Sequence, residues 1–160
     1  MKTPKLDLSE TEKILLKNAG IRIKEISDYA ADELAVIICD TVKRAKSILA
    51  LIEFQSVPSV GPIFAQDLVD MGYYSLAELK NKDGATLLNE HERLIGVWTD
   101  PCVEDQFRLV VYHANNPGSK KQWWNFTCDR KAYRSENGYP DTRPQRAWHQ
   151  LNNYPDPATR

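Results

Sequence analysis

The stretch from Ser56 to Lys80 reads SVPSVGPIFAQDLVDMGYYSLAELK, and its opening turn decides how the chain folds. Ala45, Leu49 and Ile52 recur upstream at helical spacing, so a helix runs into it. Pro58 stops that helix, since proline lacks an amide donor and clashes with the turn before it. Gly61 can take a left-handed or otherwise strained backbone. Pro62 stands at the first position of a new helix, where the N–H has no internal partner anyway. Ala65, Leu68 and Val69 then form the face that packs back on the first helix. The leading amides and positive dipole end of the second helix point outward, which makes the turn an anion site. Backbone amides hold a phosphate without reading bases, so recognition there would be independent of sequence. A tight helical hairpin that only packs is the plainer alternative.

Outward from this turn the signals are almost wholly helical. Ser9 and Glu12 make a capping box ahead of Ile14, Leu15 and Leu16, and Gly20 closes that helix. Further helices are expected from Asp32 to Ile38, Thr41 to Phe54 and Ala85 to Leu94, the last ending before Gly96. Ser75 and Glu78 repeat the capping-box pattern. Asp100 and Pro101 open a helix as cap and first residue, with Phe107, Val110, Val111 and Ala114 on one face. Asn115-Asn116-Pro117-Gly118 then ends the compact part.

The chain also repeats itself. LLKNAGIRIKEI from Leu15 aligns with LVDMGYYSLAEL from Leu68 after one gap, matching Gly20 to Gly72, Ile23 to Leu76 and Glu25 to Glu78. Each copy leads through a short turn, Cys39-Asp40-Thr41 or Trp98-Thr99-Asp100, to a long apolar-faced helix. Two fused half-domains sharing one core are expected.

The hairpin resembles the helix-hairpin-helix of family X DNA polymerases and of the transformation-regulator C-terminal domain. Val57, Val60, Gly61, Pro62, Ala65, Leu68, Gly72, Ser75, Leu76 and Leu79 carry that likeness. A longer resemblance, from Leu8 to Pro144, is to the bacterial pathogenicity-locus family of helix-hairpin-helix proteins. It rests on EFQSVPSVGP, ELKNKDGATLL, DPCVEDQFRLVVYHANNP and KQWWNFT. The resemblance implies an all-α, tandem helix-hairpin-helix (SAM-like) domain over residues 1–116, with half-units at 8–54 and 55–116. Residues 117–160 are then a basic, aromatic C-terminal extension. It implies DNA binding with no known reaction. The amides of Ser59, Gly61 and Phe64 would face a phosphate, and the carbonyls of Gln55, Val57 and Val60 would hold Na+ or K+. Ser59 replaces the first glycine of the usual hairpin pattern, which makes a glycine-like backbone costlier there.

Charge runs against a simple DNA binder, because lysine and arginine contacts to phosphate supply most non-specific affinity. The net charge is −1. Residues 1–55 hold nine basic and nine acidic groups, residues 56–116 four and nine, and residues 117–160 eight and four. The helpful cations are therefore Lys43, Arg44 and Lys46 on the helix before the hairpin. Lys120, Lys121, Arg130, Lys131, Arg134, Arg143 and Arg146 add to them in the extension. Trp123 and Trp124 either stack on unpaired bases or anchor the extension on the helical core. Thr127 caps a short helix to Glu136. Trp148 and Tyr154 look peripheral, and the last ten residues are expected to be disordered.

With 160 residues and 42% hydrophobic content, one globular domain with an appended extension is expected. No apolar run has the length of a membrane span and the N-terminus lacks a signal pattern, so a soluble, cytoplasmic protein without membrane partners is expected. Cys39, Cys102 and Cys128 form no C-x-x-C pair and read as reduced thiols. Neither they nor His91 and His149 form a metal motif. Cys102 and His113 share a helix face but stand roughly 16 Å apart along it, too far for a nucleophile and its base. No enzyme is expected, although a Schiff-base lyase using Lys43 or Lys46 stays open. Two functions follow: a sequence-independent DNA-binding module, preferring single-stranded or branched DNA, or a non-catalytic protein-interaction module on the same scaffold.

Overall fold

The structure is a computed structural model and describes residues 3–151, all of them in helices and their connections. Tyr154 and the disorder expected at the end of the chain fall outside the described residues. Among the described residues seven α-helices form: α1 (Glu10–Asn18), α2 (Ala31–Ile38), α3 (Val42–Gln55), α4 (Pro62–Asp70), α5 (Gly84–Ile95), α6 (Cys102–Asn115) and α7 (Thr127–Asn137). Among the described residues no strand forms, only an isolated backbone bridge between Trp98 and Ala147.

The two aligned stretches share local backbone features. Helix α1 ends at Gly20, φ +73°, with the Ile21 amide donating to the Leu16 carbonyl at 2.9 Å. Helix α4 ends at Gly72, φ +90°, with Tyr73 donating to Leu68 at 3.0 Å. Each glycine leads into a 3-10 segment, Ile23–Asp28 or Leu76–Leu79. Glu25 and Glu78 reach back there to accept from the amides of Arg22 and Tyr74. Left-handed residues, Cys39 at φ 52° and Gly96 at φ 74°, then separate α2 from α3 and α5 from α6. The closing helices α3 and α6 are equally long, at fourteen residues each.

The Ser9–Glu12 capping box forms in both directions, at 2.7 and 3.1 Å. The second expected box does not. The Ser75 hydroxyl bonds no backbone amide and only a short 3-10 turn follows it, leaving Glu78 to do the capping. Asp100 accepts from the Cys102 amide at 2.8 Å, as its place before Pro101 predicts.

Helix α3 joins two apolar clusters. Its residues Ala45, Ile48 and Ile52 pack with Leu16, Ile26, Leu34 and Ile38 of the first half. Its Ala50, Leu51 and Phe54 pack with Phe64, Leu68, Leu87, Leu88, Phe107 and Val110 of the second. The Phe64 and Phe107 rings meet edge to face at 4.9 Å.

The segment after Pro117 adds to this second core. Phe126 is buried in it and Trp123 packs against it. The Trp98 amide donates to the Arg146 carbonyl and Trp148 donates back to Trp98, both at 2.9 Å, so Trp148 is stitched to the α5–α6 connection and is not peripheral. Three fully buried carboxylates explain why the extension is basic. Asp105 takes the Arg130 guanidinium at 2.8 and 3.2 Å. Glu104 takes Arg134 at 2.8 Å and Arg108 at 2.7 Å. Glu92 takes Arg143 at 2.7 and 2.9 Å, together with the amide and hydroxyl of Thr99. Thr127, expected to cap α7, instead sits inside its first turn and donates its hydroxyl to Asp105 at 2.8 Å. A buried carboxylate demands donors more strongly than a solvated helix end does.

Removing one partner of such a pair strands a charge, which costs about 3–5 kcal/mol, whereas an apolar replacement of both can be nearly neutral. Urea unfolding of Arg130→Met is expected to show that loss, with Asp105→Leu/Arg130→Met closer to the native chain than the single variant.

Candidate nucleic-acid interface

The turn between α3 and α4 is built by short backbone bonds. Ser56 caps α3 through the Ile52 and Glu53 carbonyls, Val57 donates to Phe54, and Val60 donates to Val57 at 3.2 Å. The Val57 and Val60 side chains are buried beneath it. Helix α4 starts at Pro62, and its first internal bond runs from the Ala65 amide to the Gly61 carbonyl at 3.1 Å. Among the described residues, no carbonyl or side chain accepts from the amides of Ser59, Gly61, Ile63 or Phe64. The Phe64 ring is wholly buried, so only its amide belongs to this surface. Of the carbonyls proposed to hold a cation, that of Val57 already accepts from Val60 and keeps one lone pair, beside those of Gln55 and Val60.

The strained residue is Ser59, not Gly61. Gly61 has φ −96° and ψ 173°, extended backbone open to any residue, while Ser59 sits at φ 60°. A serine there costs about 1–2 kcal/mol over glycine. Its hydroxyl oxygen offsets that cost by accepting the Trp123 amide at 3.1 Å. This bond brings the Lys120–Trp124 segment alongside the turn from 64 residues away. Neither helical periodicity nor turn chemistry signals it; the one trace in the sequence is a polar side chain where glycine is usual.

The predicted cations divide. Lys43, Arg44 and Lys46 lie in the first turns of α3, whose far end carries the hairpin, so roughly 16 Å of helix separates Arg44 from it. Arg44 is also committed. It bonds both oxygens of buried Glu12, at 2.7 and 2.9 Å, and the Asp7 carbonyl at 2.6 Å. Hydrogen bonding to Arg44 holds the Glu12 carboxyl below its ordinary range. Arg130 and Arg134 are likewise spent on Asp105 and Glu104, and Arg134 stacks on Tyr139 at 4.2 Å. Lys120, Lys121 and Lys131 remain exposed. The Lys121 ammonium stands 4.4 Å from the Tyr112 ring centre and 5.4 Å from that of Phe126. The two tryptophans also divide: Trp123 is half-buried on the core, while Trp124, edge to face with it, is 53% exposed.

Cys102 and His113 occupy opposite ends of α6. Burial pushes the Cys102 thiol up to about 11, so it stays protonated at neutral pH, and the His113 ring pairs with the Lys121 carbonyl at 3.3 Å. Lys43 and Lys46 are exposed.

Comparison with known proteins gives one result. A family model described as "Pathogenicity locus" matches residues 47–132, more than half of the chain, from within α3 into α7. No curated protein and no solved structure matches.

Two outcomes follow from this geometry. Ser59→Gly relieves the backbone while losing the Trp123 bond and is expected to unfold near the native denaturant midpoint. Ser59→Ala keeps the strain without the bond and is expected to lose about 1 kcal/mol in the same titration. A carboxyl held low when folded stabilises the protein above its unfolded value, and that stability is lost as pH falls through the folded one. Stability measured across acid pH should therefore fall less steeply in Glu12→Gln than in the native chain.

Proposed function

We propose, for a chain that belongs to the pathogenicity-locus family, sequence-independent binding of a nucleic-acid backbone by the turn between α3 and α4. The observation that carries this reading is the set of amides at Ser59, Gly61, Ile63 and Phe64, without an acceptor among the described residues at the positive end of α4, with the Trp123 amide bonded to Ser59 beside them. Amides and dipole position a phosphate without base readout. A monovalent cation on the Gln55, Val57 and Val60 carbonyls would bridge the turn to the same phosphate. The role is that of a non-catalytic module or adaptor in DNA repair, recombination or uptake. With Arg130, Arg134 and Arg143 bound internally, fewer cations face the ligand, so affinity should sit at the weak end of non-specific binding with a shallow salt dependence.

One observation favours a second reading, a protein-interaction module. Asp67 and Asp70 line a cavity along α4 next to the turn, a setting for a basic partner.

Fluorescence anisotropy against single-stranded, duplex and branched DNA across a salt series separates the two. Gly61→Glu tests the turn without backbone strain, because the Gly61 dihedrals suit any residue. Binding near 10⁻⁴ M, on the order of the weakest non-specific contacts, should weaken with salt and fall at least tenfold in the variant. Absence of binding at low salt would leave the protein-interaction reading.

A further inference from the structure

A cavity of about 420 Å³ opens beside the hairpin, in the size range of small-ligand sites. Val57 and Pro58 of the turn form one wall, Leu76 and Ala114 supply further apolar surface, and Glu53 and Lys80 bring charge. One Glu53 carboxylate oxygen accepts the Leu76 amide at 3.0 Å, while the other has no donor among the described residues. Helices α3 and α6 both end here, Glu53 lying in the last turn of one and Ala114 in that of the other. Their negative dipole ends add to the carboxylate, so the cavity disfavours phosphate and favours hydrogen-bond donors. The adjacent hairpin amides have the opposite preference.

We propose that this cavity receives the unpaired base of a nucleotide whose phosphate rests on the hairpin, with the base's exocyclic amine donating to Glu53. The inference rests on the nucleic-acid reading above. Cytosine, adenine and guanine carry such an amine, whereas thymine and uracil present a carbonyl in its place. In a duplex the amine is paired and the base stacked, so the strand bound is single-stranded or locally unpaired. Trp124, exposed near the turn, offers a stacking face to a neighbouring base, and Lys80 at the cavity can reach a flanking phosphate.

Anisotropy with oligodeoxycytidine and oligodeoxyuridine of equal length tests this, because cytosine carries an amine at C4 where uracil carries a carbonyl, while N3 accepts in the one and donates in the other. The native chain should bind the cytidine strand roughly tenfold more tightly, the discrimination of a charge-assisted hydrogen bond. Glu53→Gln can keep its oxygen on the Leu76 amide while turning an NH₂ into the cavity, so the preference should vanish or reverse toward uridine. Equal affinity for both strands, with binding still abolished by Gly61→Glu, would overturn this inference and leave the hairpin reading standing. Unchanged cytidine preference in Glu53→Gln would equally overturn the role of Glu53. Failure of the native chain to bind either strand would overturn both readings.

Discussion

The fold depends on the neutralisation of three carboxylates inside it. Asp105 and Glu104 on α6 and Glu92 on α5 are fully buried, and each is held by an arginine that enters the chain after residue 117. An unpaired carboxylate in such surroundings would cost several kcal/mol. Helix α6, with Glu104, Asp105, Gln106 and His113 all buried, is therefore a central helix only while the extension covers it. Tyr139 stacks on Arg143 at 3.6 Å and on Arg134 at 4.2 Å, which fixes the planes of both guanidinium groups.

This arrangement changes what the charges mean. An acidic hairpin half followed by a basic tail looks in sequence like two surfaces, one repelling and one attracting nucleic acid. Much of that segregation is internal pairing, with positive and negative blocks meeting across α6 and α7. The field available to a ligand shrinks to lysines such as Lys80, Lys120 and Lys121, and the phosphate contact falls back on backbone amides. The extension's second contribution is local. By placing its Trp123 amide on Ser59 it supports a strained turn that the sequence leaves without glycine.

Much of the fold was legible because its cues are local. Capping residues such as Ser9, Glu12 and Asp100, left-handed glycines such as Gly20 and Gly72, and apolar spacing in α3 and α6 act within a turn or two of themselves. What stayed illegible is long-range. Charge counts cannot distinguish Glu104 at zero exposure from a solvated glutamate, and Arg44 reads as a phosphate ligand until Glu12 is found against it. The turn was placed with a cost expected at Ser59, where glycine is usual, and that preference is a rule about isolated residues. Ser59 escapes that rule through a bond to a residue far along the chain.

The most direct test of this account is urea unfolding of residues 1–116 alone, followed by far-UV circular dichroism. Loss of the cooperative transition, with the native chain unfolding in one step, is the result predicted for a core whose carboxylates have lost their arginines. A cooperative transition at the native midpoint would show that the helices stand without the extension, and would contradict the account.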